Sequence, residues 1–201
     1  VKGDAVALEL RLLGEGKVWL NNEKLDVPPL WIEVLGVMCL KERPLSLEEL
    51  LSFLYGDGGN KDNLKANLSK MRRVFPISQH PYQLGITYST DVAQIQNLLA
   101  YGKISEALKL YKGSVLPYSD APFLRHIDEV LAETIRQATL LSQDSEALFS
   151  LLEYYEDDLE LLETLSGVMK QGDPRSAAVG ARLKQLHRDF EIEDHRVLSV
   201  A

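Results

Sequence analysis

The spacing of apolar residues predicts strands at the start of the chain and helices after them. Over residues 5–13 apolar side chains alternate with polar ones, and short apolar runs at 17–20 and 25–27 follow turn residues. Such alternation is typical of strands with one buried face. The first part of the chain is therefore expected to form a small antiparallel sheet.

Helical spacing replaces the alternation after the proline pair at 28–29. Apolar residues recur every three or four positions over 31–38, which predicts a first helix. A second helix is expected to start at Ser46, because Glu49 three residues later completes a capping box.

A third helix is predicted to have two chemically different faces. Asn60 or Asp62 is expected to cap it, and its pattern continues to Phe75. The apolar face comprises Leu64, Leu68, Met71 and Phe75, and the opposite face comprises Asp62, Lys65, Ala66, Ser69, Lys70 and Arg73. Residues 61–75 hold five cations and one acid, a local net charge of +4. The net charge of the whole chain is −8, so the remaining residues together carry −12. A basic face on an acidic protein indicates an anionic partner.

Residues 76–90 carry apolar residues around the turn residues 79–81, and we expect a β-hairpin there. Three helices followed by a hairpin form a winged helix-turn-helix, with the third helix in the recognition position. We assign residues 1–90 to this domain.

From residue 91 onward the strand signals disappear. Helices are expected at about 92–101, 104–111, 123–141, 145–156, 158–170 and 174–190. Short helices joined by tight turns predict helical hairpins stacked as in tetratricopeptide arrays, although no clean 34-residue repeat aligns. The chain is therefore expected to be mainly α with a small β component, with an all-α, tetratricopeptide-like domain over residues 91–201.

Composition limits the partners of the second half. Residues 92–201 hold 18 acids and 11 cations, a poor surface for nucleic acid. The single cysteine, Cys39, excludes a disulfide framework and is expected to be a buried small hydrophobe. No apolar run reaches about 18 residues and no signal peptide is visible, so a cytoplasmic protein without a membrane partner is expected.

Short segments in a fixed order resemble a known family. Residues 10–14 resemble its opening strand, 43–50 its second-helix start, 66–73 its recognition helix and 81–84 its wing. Further matches follow in family order at 91–92, 107–113, 116–117 and 190–193. Over roughly residues 5–194 the chain resembles bacterial regulators with an OmpR-type winged helix followed by a bacterial transcriptional activator domain, as in the SARP antibiotic regulatory proteins.

The resemblance implies a transcription regulator that binds double-stranded DNA. It further implies a homodimer on DNA and a helical domain that contacts its twin or RNA polymerase. Two departures are visible: Leu30 and Trp31 stand where the family usually has arginines, and Gln83 stands where its wing usually has arginine. Both departures remove expected phosphate contacts.

The candidate DNA contacts lie on the third helix and the hairpin. Base contacts in the major groove are expected from Lys65, Ser69, Lys70 and Arg73, with Arg72 at the edge of that face and Asn67 beside the core. Phosphate contacts are expected from Lys61, Arg72, His80 and Gln83.

No residue pattern in the sequence indicates an enzyme, a cofactor or a metal site. The acidic run over 153–163 lacks a calcium-loop glycine and is expected to be a solvated helix junction. The four histidines are scattered without metal spacing, and the glycines at 56–59 lack the lysine of a phosphate loop. One alternative function stays open: a protein-interaction module whose winged helix has lost DNA binding.

Overall fold

A computed structural model describes the backbone of residues 7–198 and the side chains of residues 7–189. The predicted start of the first strand at Ala5 and the side chains of residues 190–193 lie outside the described residues. The chain divides into two compact units, Val1–Glu133 and Thr134–Ala201. Among the described residues, no helix combines the length and apolar character needed to cross a membrane.

A four-stranded sheet opens the first unit. Its strands are β1 (Ala7–Arg11), β2 (Lys17–Leu20), β3 (Glu23–Leu25) and β4 (Thr87–Thr90), in the order β3-β2-β1-β4. β1 pairs with β2 in antiparallel fashion, with Leu10 opposite Val18. Leu8, Leu10 and Val18 are fully buried, so the alternating apolar residues form one core face as predicted.

The three predicted helices lie between β3 and β4 in the chain. They are α1 (Pro29–Lys41), α2 (Leu47–Tyr55) and α3 (Lys61–Met71). The capping box is confirmed: the Ser46 hydroxyl accepts from the Glu49 backbone N–H at 3.1 Å, and the Glu49 carboxylate accepts from the Ser46 N–H at 2.8 Å. Cys39 is buried in α1, as expected, and burial together with the charge of Glu42 raises its pKa to about 12.

The predicted β-hairpin over residues 76–90 is confirmed in its first part and wrong in its last residues. Its first part does fold back, because Ile77 and Leu84 form an isolated antiparallel bridge. Its last residues, β4, instead pair in parallel with β1, with Leu8 opposite Tyr88 and Leu10 opposite Thr90. A parallel partner comes from far along the chain, so local spacing could not reveal it. The wing is therefore a short turn-bearing loop.

Helices make up the rest of the chain. They are α4 (Asp91–Ala100), α5 (Ile104–Leu110), α6 (Pro122–Ser142), α7 (Ser145–Leu152), α8 (Leu159–Val168) and α9 (Ser176–Leu198). Each lies where a helix was predicted, and the fold class, a winged helix followed by an all-α part in a mainly helical chain, is confirmed.

The first compact unit continues past β4. The Asp91 carboxylate, at the start of α4, accepts from the backbone N–H groups of Leu12 at 2.8 Å and Leu13 at 3.0 Å. Leu13 also forms a bridge with Val115, and Leu116 N–H donates to the Leu12 carbonyl at 2.8 Å. These contacts join residues 91–116 to the two residues that directly follow β1, within the first unit. The domain boundary at residue 90 stays a prediction about independently folding parts.

Candidate nucleic-acid interface

The third helix has the two faces that its sequence predicts. Asn60 caps α3, because its side-chain oxygen accepts from the Asn63 backbone N–H at 2.9 Å. The buried residues are Leu64, Leu68, Met71 and, beyond the helix end, Phe75, each at most 1% exposed. Lys65, Ala66, Ser69, Lys70 and Arg73 are exposed. The buried face of α3, which packs on the core, is thus separate from its exposed face.

The five cations of this segment differ in their partners. The side chains of Lys65 and Lys70 on α3, and of Arg73 in the turn after it, make no hydrogen bond or ion pair with any residue that the structure describes. Lys61 instead pairs with Glu48 of α2, with 2.7 Å between Nζ and Oε1. Arg72 is half-buried, and its guanidinium donates to the Gln79 side chain in the wing. Three of the five cations therefore remain available to an anion outside the chain.

Asn67 is engaged on its inward side. Its Oδ1 accepts from the Trp31 indole N–H at 3.2 Å, and its Nδ2 donates to the Asn63 carbonyl at 3.0 Å. The Trp31 ring meets the Phe75 ring edge-on, with 6.3 Å between centroids. This arrangement connects α1 to α3 and uses the amide that the sequence had suggested for DNA.

The wing places the two hairpin candidates in solvent. Ser78 N–H donates to the Gln83 carbonyl at 2.9 Å, which closes the turn that exposes His80 and Gln83. The His80 ring lies 5.9 Å from that of Tyr82, which is buried. Both candidate side chains can meet a ligand that lies along the wing.

An open pocket of about 410 Å³ lies between the starts of α2 and α3 and the wing. Lys61, Lys65 and His80 line it together with Ser46. The structure thus brings phosphate-contact candidates from the third helix and the wing to one concave surface. Lys70, Arg73 and Gln83 do not line it.

The acidic run of the second half is a set of helix junctions held by arginines. Arg136 Nε lies 2.5 Å from Asp158 Oδ2, and Asp158 also caps α8 by accepting from Leu161 N–H at 3.1 Å. Arg182 pairs with Asp157. Among the described side chains, no group of three or more His, Cys, Asp or Glu is placed to hold a metal ion.

Sequence analysis missed Glu48, Gln79 and the inward role of Trp31. Glu48 gave a faint signal, because an acid in the first turn of α2 is close in sequence to the basic segment. Gln79 and Trp31 gave none, since ordinary turn and core residues carry no mark of their partners.

Comparisons with known proteins support the fold. No protein-family model and no curated protein sequence matches the chain. Its fold is similar to that of Mycobacterium tuberculosis EmbR, solved in complex with a low affinity phosphopeptide, with a TM-score of 0.56 and 15% sequence identity. The match covers 92% of this chain and 66% of the EmbR chain. At this identity the likeness shows the fold alone.

Proposed function

We propose that the protein is a transcription regulator that binds double-stranded DNA, with α3 in the major groove. One observation carries this proposal: the side chains of Lys65 and Lys70 on α3 and of Arg73 in the turn after it are exposed and have no partner among the described residues, on a chain of net charge −8. Cations that form no ion pair with the described residues attract phosphates, and an α-helix fits into the major groove.

The surrounding geometry supports a recognition role for α3. Ser69 lies among the three cations on the exposed face, and His80 and Gln83 are exposed on the wing beside it. Side chains of α3 and of the turn after it would contact base edges and the neighbouring phosphates, and the exposed wing side chains would also contact phosphates. The similarity to EmbR supports the fold that such a helix requires.

We assign a protein-contact role to the helical part, as the family resemblance implies. Residues 134–201 hold 13 acids and 7 cations, so this unit is repelled by phosphates and left for protein partners. A twin copy on DNA and RNA polymerase are the partners that the resemblance names.

Salt dependence of binding tests the proposal. Duplex affinity should fall with salt at a slope in log K against log salt of about −2.7, since each of three neutralised phosphates contributes about −0.9. The triple variant Lys65→Ala, Lys70→Ala, Arg73→Ala should bring that slope close to zero.

A matched control carries the same loss of charge elsewhere. Lys24, Lys109 and Lys112 are exposed and lie outside α3, so their triple alanine variant should keep the wild-type slope. Equal losses in the two variants would mean that net charge, and not α3, determines binding. A wild-type protein that binds no duplex at low salt would favour the protein-interaction module instead.

A further inference from the structure

An ion pair joins the starts of the two helices that form the helix-turn-helix. Lys61 Nζ lies 2.7 Å from Glu48 Oε1, and both side chains are more than half exposed. The hydrogen bond and charge of Lys61 lower the pKa of Glu48, so the carboxylate stays ionised at neutral pH. The pair is therefore a charged contact on the solvent side of the helices.

Helix electrostatics explain why these two groups meet. Lys61 is the first residue of α3, where the positive end of the helix dipole disfavours a cation. Glu48 lies in the first turn of α2, where the same field favours an acid. The Glu48 carboxylate thus offsets the positive potential at the start of α3, which disfavours a cation at Lys61.

The pair lies in the open pocket that collects phosphate-contact candidates. Lys61, Lys65, His80 and Ser46 line this pocket, and Glu48 is the one acid among the described residues that line it. The charge of Lys65 also helps to lower the pKa of Glu48. A phosphate that entered the pocket would find Lys61 already paired with Glu48.

We propose that Glu48 is an internal counter-ion that competes with DNA phosphates for Lys61 and so restrains binding to duplexes of arbitrary sequence. This inference rests on the proposed DNA-binding function. While Glu48 holds Lys61, that lysine neutralises no DNA phosphate, so no counterion leaves the DNA on its account. Lys61 then adds nothing to the salt slope, which is why the slope expected above counts three cations and not four.

The variant Glu48→Gln tests the proposal, since it keeps the size of the side chain and removes its charge. On a random-sequence duplex its slope should be steeper than that of wild type by about 0.9. The affinity ratio between 50 and 200 mM salt should then grow about threefold. In the wild-type background, Lys61→Gln should leave the slope unchanged.

Two further variants show whether Glu48 acts through Lys61. Added to Lys61→Gln, the Glu48→Gln change should no longer steepen the slope. Glu106→Gln removes an exposed, ion-paired carboxylate from α5, where it pairs with Lys103 at 3.5 Å, and should leave the slope at the wild-type value. Thermal unfolding of each variant checks that all of them fold.

The outcomes separate this inference from the function on which it rests. A salt-dependent wild type whose slope does not change in Glu48→Gln would overturn the counter-ion role and leave DNA binding intact. A steeper slope that persists in the Lys61→Gln background would also overturn it, because Glu48 would then act on the whole surface. A wild type without salt-dependent binding would overturn both proposals.

Discussion

The outward face of α3 and the helix junctions of residues 134–189 use cations in opposite ways. At the junctions, Arg136, Arg175 and Arg182 each hold at least one carboxylate of the chain. On α3 and in the turn after it, Lys65 and Arg73 hold none among the described residues. A cation that is paired internally contributes to the fold, whereas one without a partner leaves its charge for another molecule. Loss of the first kind should affect stability, and loss of the second kind should affect binding.

The largest effect is expected from single changes on α3 and in the turn that follows it. If Lys70 and Arg73 contact base edges, Lys70→Ala and Arg73→Ala should each reduce the preference for a selected site over random duplex by about 1–3 kcal/mol. The free energy of unfolding should change by less than about 0.5 kcal/mol, because neither side chain has a partner among the described residues to lose.

The measurement is a pair of affinities, one for a site selected from a random oligonucleotide pool and one for random duplex. Lys184→Ala, an exposed lysine of α9, is the matched control and should change neither affinity. Losses that are equal on the two duplexes would show that Lys70 and Arg73 contact phosphates only.

The reverse result is expected for the junction arginine Arg136. Its side chain is 19% exposed and that of Asp158 is 14% exposed, so the pair lies between a surface and a buried ion pair. Arg136→Met should lower the free energy of unfolding by about 1–2 kcal/mol, because Asp158 keeps its burial and loses its counter-charge. Denaturant unfolding measures the loss.

DNA affinity provides the control in the same variant. Arg136→Met should bind random duplex as wild type does, since the change lies outside α3. A weakened duplex affinity without a loss of stability would contradict the division between paired and unpaired cations.

Local patterns made α3 predictable, and distant partners limited the prediction of its site. The buried face from Leu64 to Phe75 and the Ser46 cap depend on residues within one or two helical turns, so spacing alone revealed them. The pairing of β4 with β1 joins residues about 80 positions apart, and no local rule selects it.

The same reason limited the assignment of individual side chains. The Asn67 amide can bond to DNA or to the protein, and its actual partner, Trp31, lies 36 residues earlier. The pairing of Lys61 with Glu48 likewise depends on how α2 meets α3. Spacing predicted which of these cations are exposed, but it could not sort them into paired and unpaired ones.

Asn67 offers a smaller test at the border between the two regions. Asn67→Leu removes the acceptor of the Trp31 N–H, and should lower the free energy of unfolding by about 1 kcal/mol. The preference for the selected site over random duplex should not change, because the amide faces Trp31.

Ser69→Ala is the matched control for this change, since Ser69 is exposed on the other face of α3 and its loss should change stability by less than about 0.5 kcal/mol. A loss of affinity in Asn67→Leu that is confined to one base pair of the site would instead make Asn67 a base contact.

The smallest effect is expected in the pH dependence of a junction. Arg175 donates from its guanidinium to Asp173 at 2.8 Å and to Glu146 at 2.6 Å. Hydrogen bonds from the Arg175 side chain and backbone lower the pKa of Asp173 to about 2 from its ordinary value of 3.8. A carboxylate with a lowered pKa contributes stability that is complete above the ordinary value and is lost as pH falls toward the lowered one.

The stability of the wild type should therefore decline between about pH 4 and pH 2. In Arg175→Met this decline should be shallower, because the pKa of Asp173 returns toward its ordinary value. Arg73→Met removes an arginine without a described partner, so its decline should match that of the wild type. The measurement is the thermal unfolding midpoint in steps of pH across this window. Equal slopes in all three proteins would mean that the junction ion pair contributes no more to stability than Arg73 does, and the contrast between the two regions would then apply to binding alone.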